Sequence, residues 1–376
     1  MGELLTTAEA AHRLGVKVAT LYAYVSRGQL LSHPATDGRG SRFDAAEVDA
    51  LAGRGRSGRR PVGAVETVRS ALTSIDGDRL RYRGHDAVEL SRGHSFEAVA
   101  RLLWSGTATP GPFAGDAELS RQARVVLDAL PAGCRLPDRL RVAVSVVGAL
   151  GGALGGALGG ALSSPEVVLG SVLGALAPGP SVGEGLAAAA GAPGVRLDAP
   201  LVLLADHGLA VSTVAARVAA SARAPLTSVL SAALGAADGP LHAGAVSGAH
   251  RFLADALGGS LVVEPGVRPP GFGHVVHATS DPRAEELLAT VLTAWPTAPV
   301  AEVLPAVLER VVRVHGAGAF PNVDLGLAAF THAHGLPGEV GELLFEVARC
   351  AGWMAHALEE YAAPALRFRV RGLHRE

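Results

Sequence analysis

The first fifty residues carry two short helical patterns. Thr6 and Glu9 have the Thr-x-x-Glu spacing of a capping box, and apolar residues at helical spacing follow over residues 8–14, up to Gly15. A second apolar stretch at helical spacing, residues 18–25, begins almost at once. Because so short a turn separates the two stretches, the pattern predicts a helix-turn-helix.

After these helices the pattern becomes strand-like. A short hairpin is predicted around Asp37 and Gly38, and Asp44 stands where it can cap a last helix through Val48 and Leu51. This order of elements resembles the winged helix-turn-helix of the MerR and excisionase groups.

In those groups the second helix enters the DNA major groove and the wing contacts the backbone. The resemblance implies DNA contacts by Lys17, Thr20, Tyr22, Arg39 and Arg42. Residues 1–60 hold nine Lys or Arg and six Asp or Glu, and most of this excess lies in the basic linker after the module. A protein-contact or oligomerisation module is the alternative interpretation.

Beyond residue 62, apolar residues recur at helical spacing and strand-like alternation is scarce, so the body is predicted to be mainly α-helical. One hairpin is expected around Asp76 and Gly77. Residues 142–165 carry no charge and repeat glycine every four positions, as membrane helix contacts do. Because Gly and Ala dominate the stretch, we predict a buried helix or loop rather than a membrane span.

The composition is that of a multi-domain protein with a large core. The chain has 376 residues, of which 49% are hydrophobic. Lys and Arg total 33 against 35 Asp and Glu, so the net charge of -2 favours neither nucleic acid nor membrane as a partner of the whole chain. The two cysteines cannot form a disulfide framework, and the first residues lack the order of a secretory signal. We therefore expect a cytoplasmic protein with no membrane partner.

Three histidines and one aspartate lie in glycine-rich or otherwise turn-like segments, where a substrate can approach closely. They are His207 in ADHGL, His242 in GPLHAGA, His274 in GFGH and Asp324 in FPNVDLG. A carboxylate with imidazoles supplies the base, the hydrogen-bond donor and the acid that remove a proton beside a carbonyl. Metal ligation is the competing use, but the close pair at residues 332 and 334 cannot share one helix face.

Arginines are the second part of this set. Arg283 follows a turn, Arg349 lies within an apolar helix, and three more arginines occur in the tail, residues 365–372. A buried guanidinium is costly unless it pairs with an anion, so Arg349 indicates a ligand that carries a carboxylate. An internal ion pair with Glu342 or Glu346 is the equally weighted alternative.

These motifs occur in a family-specific order. ADHGL, GPLHAGA, GFGH with DPRA, FPNVD and ARCAGWMAHALEEY have the order and spacing of the citrate synthase family, including its 2-methylcitrate synthases. The resemblance runs from about Ile75 to the C-terminus. Five ordered motifs are far more specific than any single short match.

The resemblance implies a mainly α fold, with a large helical domain and a small helical lid domain that enclose the active site in a homodimer. We expect a helix-turn-helix module of residues 1–53, a linker of 54–62, a large domain of 63–242 and 329–376, and a small domain of 243–328 on the coenzyme A side. No cofactor or metal is implied beyond the coenzyme A thioester itself.

The family's residue roles are carried over by motif. Asp324 would remove a proton from the acyl group, His242 would donate a hydrogen bond to the thioester oxygen, and His274 would polarise and protonate the ketone. The 2-oxo acid's carboxylates would be held by His207, Arg283 and Arg349, with Arg367 completing the partner subunit's site and Arg369 as the alternative to Arg367.

Three positions depart from the family pattern. Ala210 stands where the family usually has asparagine, Ala243 where it has glycine, and His277 where an aromatic residue is common. None of these changes removes a proton-transfer residue. His277 either replaces the aromatic ring in packing or is incidental.

The expected activity is condensation of acetyl-CoA or propionyl-CoA with oxaloacetate, an acyltransferase reaction of the tricarboxylic acid cycle type. One alternative is a DNA-binding regulator whose synthase-like body senses CoA esters or dicarboxylates. Another is an acid-CoA lyase, although such enzymes usually carry additional nucleotide-linked domains. The intact set of His242, His274 and Asp324 favours catalysis, because a sensor needs the binding residues but not the base.

Overall fold

The computed structural model describes residues 4–14, 16–26, 30–34, 41–49, 68–154 and 164–368. The chain divides into two compact units. Among the described residues, those up to residue 49 form the first unit and residues 68–368 form the second.

The first unit combines short helices with a small antiparallel sheet. Its elements are β1 (Leu4–Thr6), α1 (Thr7–Leu14), α2 (Val18–Ser26), β2 (His33–Pro34) and β3 (Ser41–Asp44). Strand β3 lies between β1 and β2, with Leu5 opposite Phe43 and His33 opposite Arg42. The strands on both sides of the predicted hairpin therefore pair, whereas Asp37 and Gly38 lie outside the described residues.

Side-chain caps begin two helical segments of this unit, as the sequence predicts. The Thr6 N–H donates to Glu9 Oε2 at 2.8 Å, and the Glu9 N–H donates to Thr6 Oγ1 at 3.3 Å, which completes the capping box. Asp44 Oδ1 accepts from the N–H of Ala46 at 2.8 Å, at the start of the helical residues 45–49.

The second unit begins with a small sheet and continues in helices. Its strands are β4 (Thr73–Asp76), β5 (Arg79–Tyr82) and β6 (His85–Asp86). Its helices are α3 (Ala87–Gly93), α4 (Phe96–Ser105), α5 (Ala117–Asp128), α6 (Leu136–Leu154), α7 (Pro165–Leu176), α8 (Val182–Ala189), α9 (Asp198–Leu204), α10 (Val211–Ser221), α11 (Leu226–Ala237), α12 (Ala245–Leu257), α13 (Pro282–Ala294), α14 (Pro299–His315), α15 (Val323–Ala333) and α16 (Gly338–Ala362). The prediction of a mainly α body is confirmed.

The predicted hairpin of this unit also forms. Strands β4 and β5 pair antiparallel around the turn that follows Asp76, and Gly77 has a φ of 56°, a conformation that glycine adopts readily. Tyr82 of β5 is fully buried, and its hydroxyl donates to Leu203 O at 3.0 Å. The hairpin is therefore fixed to the end of α9, directly before His207.

Helix α16 is the central element of the second unit. It is buried along most of its 25 residues and packs against α4, α9, α10, α11 and α12. The Gly352 N–H donates to Ala205 O at 3.0 Å, and a Cβ at Gly352 would lie only 2.6 Å from that oxygen. The absence of a side chain at Gly352 lets α16 approach the segment that carries His207.

The uncharged stretch at residues 142–165 is described in part. Its first half belongs to α6, where Val144 and Val147 are fully buried in the core. Across the described ranges, no helix is long and apolar enough to cross a membrane. Residues 155–163 lie outside those ranges.

The division of the body into a large and a small domain stays a prediction.

Candidate active site

The residues singled out in the sequence lie at the ends of helices. His207 follows α9, His242 precedes α12, His274 lies between α12 and α13, and Asp324 lies in the first turn of α15. Side chains at such ends can reach a common space while the helices themselves stay packed in the core.

Hydrogen bonds hold the segment with His274 against the segment with Asp324. The Gly273 N–H donates to Phe320 O at 2.6 Å, and the Asn322 N–H donates to Gly271 O at 2.9 Å. Asn322 Nδ2 also donates to Gly273 O at 2.9 Å. Gly271 has a φ of 85°, and a Cβ there would lie 2.9 Å from Leu325 Cβ, so only glycine suits this approach.

Three imidazole rings form a cluster beside this junction. The ring centroids of His207 and His274 are 5.0 Å apart, and those of His274 and His277 are 4.8 Å apart. The Nε2 atoms of His207 and His277 are 3.0 Å apart, which is hydrogen-bond distance. His277 therefore lies in the site, where the sequence left its role open.

Asp281 is a further charged residue beside the imidazole cluster, and the sequence analysis did not predict it. Its carboxylate is fully buried and accepts from Arg283 Nε at 2.9 Å and Arg283 Nη2 at 2.8 Å. It also accepts from the Val323 N–H at 2.9 Å, at the start of α15. The sequence does contain a signal for Asp281, which is its position in the DPRA motif. An Asp directly before a proline at the start of a helix is a common N-cap residue.

Ser212 sets the tautomer of His242. The Oγ of Ser212 lies 2.7 Å from His242 Nε2 and accepts from Trp353 Nε1 at 3.2 Å. The indole N–H can only donate, and the Ser212 hydroxyl has no other hydrogen-bond acceptor among the described residues, so its hydrogen is directed at His242 Nε2. This arrangement assigns the imidazole proton of His242 to Nδ1. Ser212 stands next to a recognised motif, but no sequence signal pairs it with His242.

His274 has the opposite tautomer. Its Nδ1 accepts from the backbone N–H of Val276 at 3.0 Å and of His277 at 3.3 Å. A ring nitrogen that accepts hydrogen bonds carries no proton, so the proton of neutral His274 is on Nε2.

The three sequence-predicted histidines are neutral at physiological pH. Burial lowers the pKa of His242 to about 4, and the charge of Arg349 lowers it too. Burial, followed by the charge of Arg283, lowers the pKa of His274 to about 4. The pKa of His207 lies well below its ordinary value for the same reasons. Neutral rings donate a hydrogen bond without adding a full positive charge.

Asp324 has the properties of a general base. Its side chain is half-buried, and its carboxylate makes no hydrogen bond within the described part of the chain. Burial raises the pKa of Asp324 to about 6, while the charge of Arg283 acts in the opposite direction. A carboxylate with a raised pKa is a stronger base than one in water and is still largely ionised at pH 7.

Arg349 is a buried cation without an ion-pair partner among the described residues. Its Nε donates to Leu204 O at 2.9 Å, and its Cζ lies 4.8 Å from the centroid of the Phe345 ring. Burial lowers the pKa of Arg349 to about 10. The opposite charge that most raises the pKa of Arg349 is the buried carboxylate of Asp206, whereas Glu342 and Glu346 are bound by other arginines. These are Arg135, at 3.3 Å from Glu342, and Arg141, at 2.8 Å from Glu346.

The other two predicted arginines have partners in the chain. Arg283 is bound by Asp281 through two of its nitrogens. Arg367 donates to both carboxylate oxygens of Glu360, each at 2.6 Å. The structure therefore brings Arg283 and Arg349 to the histidine cluster, whereas it places Arg367 on Glu360 at the end of α16.

The candidate DNA contacts lie in the first unit. Lys17, Thr20 and Tyr22 are exposed on or just before α2, as a recognition helix requires. Arg42 lies half-buried on β3, and Arg39 falls outside the described residues.

Comparisons with known proteins agree with this geometry. Residues 62–158 and 194–371 match the family model of the citrate synthase C-terminal domain, and residues 4–56 match a helix-turn-helix domain model. The citrate synthase of Haloferax volcanii is 30% identical over 355 residues, which covers 81% of this chain and 92% of that protein. The 2-methylcitrate synthase of Shewanella oneidensis is 26% identical, with 81% and 90% covered.

Solved structures show the same fold. The citrate synthase of Thermotoga maritima aligns with a TM-score of 0.64 at 24% identity, covering 84% of this chain and 95% of that chain. The citrate synthase of the thermophilic archaeon Thermoplasma acidophilum, in a ternary complex, aligns with a TM-score of 0.63 at 23% identity, covering 83% and 94%.

Proposed function

Since this chain belongs to the citrate synthase family and is a citrate synthase-type enzyme, we propose that it condenses acetyl-CoA or propionyl-CoA with oxaloacetate. The products are citrate or 2-methylcitrate and free CoA. The observation that carries this proposal is Asp324, a carboxylate of raised pKa with no hydrogen bond in the described residues, on a segment that is hydrogen-bonded to the segment of the neutral His274.

Enolisation is the first step of the proposed reaction. Asp324 takes a proton from the carbon next to the thioester carbonyl, and the Nδ1–H of His242 donates a hydrogen bond to the thioester oxygen. As negative charge develops on that oxygen, the hydrogen bond strengthens and lowers the barrier. Ser212 supports this step because its hydroxyl leaves the proton of His242 on Nδ1.

Carbon–carbon bond formation follows. The enol carbon attacks the ketone carbon of oxaloacetate, and the Nε2–H of His274 polarises the ketone oxygen and protonates it as the bond forms. Water then cleaves the thioester, which releases the carboxylate product, the CoA thiol and a proton. Asp324 gives up the proton that it took and His274 regains one through solvent, so both groups return to their starting states. The neutral histidines and the buried setting of the site support this order of steps.

The positive charges of the site support a dicarboxylate as the second substrate. Arg349 has no ion-pair partner among the described residues. Arg283 and Arg349 both lie close enough to His207 for their charges to lower its pKa. The Thermoplasma acidophilum citrate synthase was solved with carboxymethyl coenzyme A and oxaloacetate, which supports the same substrate pair here. We include in the proposal a cytoplasmic homodimer, a role in the tricarboxylic acid cycle, and Arg367 as a residue that leaves Glu360 to complete the partner subunit's site.

CoA release tests the proposal. The native chain is mixed with oxaloacetate and either thioester, and the free thiol is measured over time. We expect turnover that falls at least about a hundredfold in Asp324→Asn, because the base is removed. Asp255→Asn, an exposed change on α12, is the matched control and should leave the rate unchanged. Absence of CoA release from both thioesters would contradict the proposal.

The helix-turn-helix unit favours a second candidate, a regulator that binds DNA and senses CoA esters or dicarboxylates. The exposed face of α2 supports DNA binding, and it is compatible with an active enzyme as well. A pure sensor would bind oxaloacetate in titration calorimetry without releasing CoA. An enzyme does both, so the two measurements on the native chain separate the candidates.

A further inference from the structure

His277 is a buried histidine that the proposed chemistry does not use. Only 2% of its surface is exposed, and its Nε2 lies 3.0 Å from His207 Nε2. The same Nε2 lies 3.7 Å from Asp281 Oδ1, and its Nδ1 lies 3.7 Å from Asp78 Oδ1. The Nδ1 makes no hydrogen bond with the described residues. A ring that served only in packing would not need to direct one of its two nitrogens at His207.

The contact between the two rings constrains their protons. Two imidazole nitrogens at hydrogen-bond distance share one hydrogen, so one ring donates and the other accepts. The Nε2 of His207 is occupied by this contact, and its Nδ1 makes no hydrogen bond with the described residues. Only Nδ1 of His207 is therefore available for a ligand. For Nδ1 to donate, Nε2 of His207 must be the acceptor and His277 must hold the shared proton.

The charges around the two rings favour this arrangement. The Asp281 carboxylate lies 3.7 Å from His277 Nε2 and favours a hydrogen on that nitrogen. The Asp78 carboxylate, near Nδ1, already accepts three backbone N–H groups of the residues that follow His277. His207 instead lies near the cations Arg283 and Arg349, whose charges add to burial in lowering its pKa. The shared hydrogen is therefore more stable on His277 than on His207.

We propose that His277 is a positioning residue for the second substrate. Its Nε2–H donates to His207 Nε2 and fixes His207 in the tautomer whose Nδ1–H binds a carboxylate of the 2-oxo acid. This inference rests on the proposed function, because it takes the ligand of His207 from that reaction. It concerns a position where this chain departs from the aromatic residue common in the family.

Two substitutions at His277 separate hydrogen bonding from packing. His277→Phe keeps a ring but removes the donor, and we expect the KM for oxaloacetate to rise about tenfold, the loss of one hydrogen bond that supports a charged group. The KM for acetyl-CoA and kcat should change less than about threefold, because the proposed catalytic groups keep their own partners. His277→Gln places an amide N–H near the position of Nε2 and should restore the KM for oxaloacetate to within about threefold of native.

Binding measured without catalysis separates this inference from the proposed function. Oxaloacetate alone is titrated into the native chain and both variants by calorimetry, and melting curves identify variants that have lost their fold. Weaker binding in His277→Phe with recovery in His277→Gln supports the inference even if no CoA is released. Equal effects of the two substitutions, native affinity in His277→Phe, or no binding to the native chain would each overturn it.

Discussion

In the proposed reaction Asp324 works together with neutral imidazoles, and their neutrality preserves its strength as a base. Three imidazolium rings would stabilise its ionised form and draw its pKa down. Burial instead keeps His242 and His274 neutral, with a pKa of about 4 for each. The same burial raises the pKa of Asp324 to about 6. Burial therefore moves the pKa values of the histidines and of Asp324 in opposite directions.

The pH dependence of the reaction follows from these shifts. Below pH of about 6 the carboxyl group of Asp324 is protonated and cannot accept a proton, so kcat/KM for the acyl-CoA should fall about tenfold per pH unit. His242 and His274 stay neutral across most of the range from pH 5 to 8 and contribute no inflection there. Initial rates across pH 5 to 8 measure the profile. Asp255→Asn should keep the inflection, and a profile flat from pH 5 to 7 would contradict the assignment.

Ser212 offers a second test at the scale of single residues. Ser212→Ala removes the hydrogen bond to His242 Nε2, so the proton of His242 can move away from the thioester oxygen. We expect kcat to fall roughly a hundredfold, as for loss of an oxyanion donor, with little change in the KM for oxaloacetate. Ser221→Ala is the control, because that buried hydroxyl on the same helix donates only to Val218 O. A kcat equal to native would show that Ser212 does not set the tautomer.

The sequence indicates which residues belong to the candidate site, but it does not indicate which ring nitrogen of each histidine carries the proton. His207, His242, His274, Asp324 and Arg349 were found from turns, apolar context and motifs. The tautomer of His242 depends on Ser212 and Trp353, which lie 141 positions apart in the chain. No local pattern reports such a pairing, since only the packed helices bring the two side chains together.

At the scale of elements, α16 positions the site by coming unusually close to the end of α9. Gly352 donates its N–H to Ala205 O at 3.0 Å, two residues before His207. Arg349, one helical turn earlier on α16, donates to Leu204 O. The helix therefore sets the positions of a cation and of the segment that carries a histidine, and both depend on the small size of Gly352.

Gly352→Ala tests this close approach. The added Cβ would lie 2.6 Å from Ala205 O, so the backbone before His207 must move. We expect the free energy of unfolding to fall by about 1–3 kcal/mol, as for other overpacked cores, and the KM for oxaloacetate to rise. Gly235→Ala on α11 meets open space and is the matched control. Denaturant titration and rate measurements check both effects, and native values for Gly352→Ala would contradict the argument.

Predictions of elements succeeded where a local signal existed. The capping box at Thr6 and the cap at Asp44 could be predicted from the sequence because their hydrogen bonds join residues two or three positions apart. Strand β1 was missed, since three residues are too short to show alternation, and its pairing with β3 is distant in sequence. The boundary between a large and a small domain had no local signal and rests on the family resemblance.

At the scale of the whole molecule, charge is distributed unevenly along the chain. The net charge is -2, yet residues 1–60 carry nine basic and six acidic residues. Affinity of the full chain for DNA must therefore come from the first unit and from local contacts. Lys17 just before α2 and Thr20 and Tyr22 on it are exposed, and Arg42 lies half-buried on β3. In the DNA-binding hypothesis the first three face a groove and Arg42 contacts phosphate.

DNA binding by the full chain should depend strongly on salt, because phosphate contacts release counterions. The logarithm of the affinity should fall linearly with the logarithm of salt concentration, and Arg42→Ala should make the slope shallower by about one. Arg310→Ala removes an exposed arginine of the second unit and should leave the slope unchanged. Fluorescence anisotropy with a labelled duplex at several salt concentrations measures both slopes. Absence of binding at low salt would leave the first unit as a protein-contact module, since its exposed helix face would then have no phosphate partner.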